Sequence, residues 1–133
     1  MGKWGMAAAA ALVCTGGAWG SGPHWLPVPG APDLQLDLAS VQQQHNLVST
    51  WVRSPGRSAL IGAEVRLPRV SRTVVLAQFD CAARTVRALA ANAYDGAGRA
   101  VYLSSLPQPA RRIDDADLGW TYDALCELRK SNL

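Results

Sequence analysis

Two cysteines 45 positions apart, Cys81 and Cys126, restrict what this chain can fold into more than any other feature. Whether such a pair is a crosslink or two thiols depends on compartment, and the amino terminus speaks to that. Residues 1–20 read "MGKWGMAAAAALVCTGGAWG", with Lys3 near the start, an apolar run from Met6 to Val13 and small residues after it. This is the pattern of an export leader. The run is far shorter than the roughly 20 apolar residues of a membrane-spanning helix, and no later stretch approaches that length, which argues against an integral membrane protein. Two processing readings stand. Ala18 and Gly20 put small residues at the positions that signal peptidase reads before a cut at Ser21. Alternatively Cys14 becomes a lipid-carrying first residue, although the bulky Val13 precedes it where such signals carry glycine or alanine. The expectation is a leader at 1–20 and a single domain at 21–133, exported to the periplasm or the outer-membrane surface.

Export decides how the cysteines are read. With Cys14 gone, an even pair in an oxidising compartment is first a disulfide. Closing a loop of this length stabilises a fold by roughly 4 kcal/mol in the chain-entropy account. A nucleophilic thiol needs a base beside it. The two histidines, His24 and His45, are distant in sequence from both cysteines and lie in no Cys-His signature.

The sequence between the leader and Cys81 reads mostly as strand. "DLQLDLASV" (33–41) alternates Leu34, Leu36 and Leu38 with polar residues, the period of two expected when one sheet face is buried. "QQQHN" suits a turn, and "LVSTWVRS" (47–54) pairs back antiparallel before Pro55-Gly56 breaks it. From Pro55 to Arg72 only a short edge strand over 63–67 is expected, limited by Pro68. "TVVLAQFD" (73–80) and "RTVRALAANAY" (84–94) are strands joined by a turn at Cys81-Ala82-Ala83, and Asp95-Gly96-Ala97-Gly98 turns the chain into "RAVYLSS". The pattern is a β-meander.

After Ile113 the period changes. Asp114, Asp115 and Asp117 stand where a helix would start and Arg129 and Lys130 where it would end, complementing the helix dipole at both termini. Leu118, Tyr122, Leu125 and Cys126 form one stripe, so the cysteine is carried inward toward the sheet. Gly119 costs this helix about 1 kcal/mol relative to alanine, so it depends on packing and on the crosslink. The fold class is α+β: an antiparallel sheet with a carboxyl-terminal helix packed on one face and tethered by the disulfide.

Composition narrows the chemistry. The chain carries a net charge of +3, but residues 51–112 hold ten arginines against Glu64, Asp80 and Asp95, whereas five acids follow Ile113. The sheet is therefore basic and the helix acidic. Arg84, Arg87 and Arg99 are the candidate binding face, since guanidinium forks hold carboxylates, sulfates and phosphates. The partner is then an acidic protein or a polyanionic glycan. A hydrolytic triad has little support from two amino-terminal histidines, so no catalytic residue is assigned. Two histidines 21 positions apart without a carboxylate at ligand spacing match no metal motif, and Asp95-Gly96 reads as a turn rather than a calcium loop. No cofactor is expected. Nucleic acid is not expected either, because the aromatics build no stacking platform.

"LVSTWVRS", "VVLAQFDCAARTVRALAANAYDGAGR" and "YDALC" together resemble the surface-adhesin protein E family of exported bacterial proteins, in the order tryptophan strand, FDC, YDG hairpin and terminal Y-x-A-L-C. Asp37 and Ser40 resemble that family's early D-x-x-S segment. The resemblance runs from about Asp33 to Cys126. It implies a sheet whose concave side carries the disulfide-held helix, and a non-enzymatic module that binds extracellular matrix or serum proteins such as vitronectin, laminin or plasminogen. It also implies a possible homodimer. The alternative is an envelope accessory protein of the same fold without an adhesive role. The chain departs from the family pattern at "IDDAD", where proline-x-serine is usual, and over 55–72.

Overall fold

The computed structural model describes residues 24–131. Eight strands form one antiparallel sheet: β1 (Trp25–Val28), β2 (Ala31–Asp37), β3 (Gln42–Gln44), β4 (Leu47–Pro55), β5 (Arg72–Asp80), β6 (Thr85–Tyr94), β7 (Ala100–Ser104) and β8 (Arg111–Arg112). Their spatial order is β1-β2-β4-β5-β6-β7, with β3 also lying beside β4 and β8 beside β6. Helix α1 (Ala116–Ser131) follows the last strand. The leader assigned to 1–20 lies outside the described residues.

Strict alternation builds the centre of the sheet. Val48, Thr50, Val52 and Ser54 of β4, then Thr73, Val75, Ala77 and Phe79 of β5, point to one buried inner face. Phe79 is wholly buried, and burying a side chain of that size contributes about 2–3 kcal/mol. In β6 the alternation slips: Val86 and Ala88 are buried, and so are Ala91 and Ala93. The cause is a β-bulge, because Leu76 pairs with Ala90 while Ala77 pairs with Ala88, leaving Leu89 as the extra residue.

Two covers share the inner face. Helix α1 lies over β1, β2 and β4 and buries Leu118, Thr121, Leu125 and Cys126, while Tyr122 of the expected stripe is half-buried against the same core. The Thr121 hydroxyl is satisfied by donating to the Asp117 carbonyl at 2.8 Å. Asp115 caps the helix, its Oδ2 accepting from the Leu118 amide at 3.0 Å, so the helix begins just after the second aspartate of "IDDAD". The segment between β4 and β5 is the second cover, contributing buried Leu60 and Ile61 and, packed against the same core, Val65, Leu67 and Val70.

That segment corrects the edge strand expected over 63–67. No strand forms there: the Val65 amide closes a turn onto the Gly62 carbonyl at 3.0 Å. The segment's apolar side chains face the sheet instead of a strand partner. Thr73 pins its start, the hydroxyl donating to the Gly56 carbonyl at 2.6 Å and accepting from the Ser58 amide at 3.3 Å. Its two ends meet where the Gly56 amide donates to the Ser71 carbonyl at 2.9 Å. The strand expected over 33–41 begins two residues earlier and stops at Asp37, where a 3-10 turn (Leu38–Ser40) follows. Gln42–Gln44, expected as a turn, is the exposed strand β3, because β4 offers it a free hydrogen-bonding edge.

Candidate binding face

Cys81 and Cys126 form the disulfide, with their Cα atoms 5.8 Å apart. Asp80 shapes the turn that presents Cys81: its Oδ1 accepts from the Ala82 and Ala83 amides at 2.9 and 3.0 Å, while its carbonyl accepts from the Arg84 amide at 2.9 Å. The acid of the FDC motif is thus a turn-former. Tyr122 adds a second tie, donating its hydroxyl to the Cys81 carbonyl at 2.7 Å.

Asp37 and Ser40 are likewise structural. Asp37 Oδ1 accepts from the amides of His24 (3.0 Å) and Ala39 (3.1 Å). The Ser40 hydroxyl donates to the Asp37 carbonyl at 2.7 Å and accepts from the Trp51 amide at 3.1 Å, and buried Thr50 donates to the same carbonyl at 3.0 Å. The network stitches the end of β2 to β4.

The three arginines expected to share a face are not brought together. Arg84 sits in the β5–β6 turn at φ 56°, its guanidinium 4.7 Å above the Tyr122 ring and 3.8 Å from Asp123. Arg87 is on the outer sheet face and donates to Gln78 at 2.9 Å. Arg99 lies in the β6–β7 turn, where its Nε reaches Asp95 at 3.2 Å. The length of β6, roughly 33 Å for ten residues, separates Arg84 from Arg99. Asp95 itself organises the hairpin. The Arg99 amide above all, then the Ala97 amide and the Arg99 charge, hold its carboxyl below the ordinary 3.8.

The outer face carries two arginines that the sequence did not single out. Arg53 stacks on Trp25 at 4.5 Å and donates from Nε to Gln35 at 2.8 Å; Arg72 stacks on Tyr94 at 4.8 Å. The register places Arg53 opposite Val74 and Arg72 opposite Pro55, so the two are diagonal neighbours on adjacent strands. They border a shallow hollow of about 430 Å³ lined also by Gln35, Ser54 and Ser71. Arg53 was legible: it follows Trp51 by two in a strand and must share its face. His24 and His45 are both exposed. Among the described residues, no group of three or more His, Cys, Asp or Glu side chains is placed to hold a metal ion.

The molecule is thus an antiparallel sheet with one covalently fastened helix on its inner face and, among the described residues, an outer face that no helix covers. The family model of surface-adhesin protein E matches residues 25–127, and the chain belongs to that family. Solved structures of Haemophilus influenzae protein E share the fold. Its crystal form II superposes with a TM-score of 0.55 at 11% identity, covering 77% of this chain and 87% of that one. The selenomethionine form gives 0.54 at 13% identity, covering 80% and 92%. No curated protein sequence matches the chain. Among the described residues, no helix is long and apolar enough to cross a membrane.

Proposed function

We propose that this protein is a non-enzymatic, exported cell-envelope module that binds proteins outside the cell, of the extracellular-matrix or serum kind, with residues 21–133 as the mature single domain. The observation that carries this reading is the family match across residues 25–127, on a chain whose Cys81–Cys126 disulfide ties the helix to the sheet. The family is one of surface adhesins, and the electrostatics suit the role. Ten arginines between Trp51 and Arg112 leave the sheet region positive, which favours encounter with acidic partners.

The experiment is antibody labelling and protease shaving of intact cells, paired with binding of the purified mature protein to immobilised matrix and serum proteins. Labelling of intact cells together with saturable binding supports the reading. Protection from protease until the outer membrane is opened removes adhesion and leaves an envelope accessory protein.

A further inference from the structure

The sheet's inner face is covered twice, by α1 and by residues 56–71, but its outer face has no cover among the described residues. Along β4 and β5 this face presents half-buried Trp51, Val74 and Leu76. Trp51 is directly opposite Leu76, and the row Arg53–Val74–Asn92 continues to Leu103, which is 67% exposed. An apolar strip therefore runs beside the Arg53–Arg72 pair on a single surface.

The arginines are prepared for an anion. An aromatic ring under each guanidinium restricts its orientation while leaving its edge donors available. Among the described residues neither is in an ion pair, although Arg84 and Arg99 are. Asp33 lines the same hollow but stands beyond ion-pair distance of both. Gln35 occupies part of the Arg53 fork, and Arg72 makes no side-chain hydrogen bond among the described residues.

We propose that this outer face docks an acidic segment of a protein partner, with Arg53 and Arg72 holding a carboxylate and apolar neighbours of that carboxylate covering Trp51, Val74 and Leu76. A polyanionic glycan would need basic groups at close intervals, whereas here Val74 and Leu76 lie between the Arg53–Arg72 pair and Arg87, the arginine farther along this face, which is engaged with Gln78. Charge complementarity with an apolar companion area is a protein's chemistry. The inference rests on the protein-binding reading above and names the surface that performs it.

A random peptide library panned on the purified mature protein tests this. The recovered peptides are expected to combine Asp or Glu with Leu, Phe or Trp. Their affinity, read by fluorescence anisotropy, should fall by about tenfold or more in Arg72→Gln, fall in Arg53→Lys, weaken with added salt, and stay unchanged in Arg69→Gln. Arg72 is exposed, and an unaltered thermal transition of its variant excludes misfolding as the cause. Peptides lacking acids, or acidic peptides that bind Arg72→Gln as well as wild type, overturn the proposal. So does a sulfated oligosaccharide that binds through Arg53 and Arg72 where acidic peptides do not. The assay uses purified protein, so its failure is separate from a failure of cell-surface labelling.

Discussion

The Tyr122 hydroxyl donates to the Cys81 carbonyl at 2.7 Å, one helical turn from the cysteine that bonds to Cys81 covalently. The same short stretch of helix thus grips the β5–β6 turn twice, and Arg84 from that turn closes over the Tyr122 ring. Tyr122→Phe keeps the ring and removes only the hydrogen bond. It should lower stability by about 1 kcal/mol in denaturant unfolding, leaving the Cys81 carbonyl without this donor. An unchanged midpoint would mean the bond contributes nothing.

Trp120 meets the sheet at Gly30. The glycine adopts φ +88°, and a Cβ built on it would fall 2.2 Å from Trp120 Cδ2. Gly30→Ala therefore combines backbone strain with a ring clash, and a loss of about 2 kcal/mol or more is expected. In a Trp120→Ala background the clash disappears and only the strain remains, so the cost of Gly30→Ala should shrink by about 1 kcal/mol in a double-mutant cycle. Equal costs in both backgrounds would show that the ring does not pack on this turn.

Asp37→Ala removes the acceptor for the His24 and Ala39 amides and should destabilise by about 1–3 kcal/mol. Asp37→Asn retains a side-chain carbonyl and should lose less. Thermal unfolding of the two variants measures the difference, and equal losses would show that the lost charge, not the lost acceptor, is responsible.

The Asp95 hairpin has a pH signature. The Arg99 amide leads the groups that hold its carboxyl below 3.8 in the folded state, so the charged form is favoured by folding. Its contribution is complete above the ordinary carboxylate value and is lost as pH falls from 3.8 through the lower folded value. Side-chain titration by NMR should give Asp95 a midpoint below 3.8, with the Ala97 and Arg99 amide resonances moving with it. A midpoint at or above 3.8 contradicts the hydrogen bonds described.

What was legible in the sequence was whatever alternates between a buried and an exposed face. β4, β5 and β7 emerge near their observed limits; in the first two, Val48, Val52, Val75 and Phe79 fall on the every-second-place inner row. The helix stripe follows from an equally local pattern, and the disulfide from an even pair of cysteines in an exported chain. β1 escaped because Pro27 interrupts it, and only pairing with β2 makes it a strand. β3 escaped because all of its side chains are exposed and carry no alternation. The segment 56–71 pairs with no strand and packs by side chains from scattered positions, which no period encodes. Arg84, Arg87 and Arg99 stand apart for a reason that was available. Residues 84 and 87 differ by an odd number and fall on opposite faces of a regular strand, and Arg84 and Arg99 belong to turns at opposite ends of β6. The Arg53–Arg72 pair was hidden because it depends on the register between β4 and β5.

One covalent bond fastens α1 to the inner face of the sheet. Peptide mapping of the unreduced protein by mass spectrometry tests this bond. A single crosslinked species joining the peptides that contain Cys81 and Cys126 is expected, with an unfolding midpoint that drops on reduction by the equivalent of about 2–5 kcal/mol. Recovery of both cysteines as free thiols, or a midpoint indifferent to reductant, would contradict it.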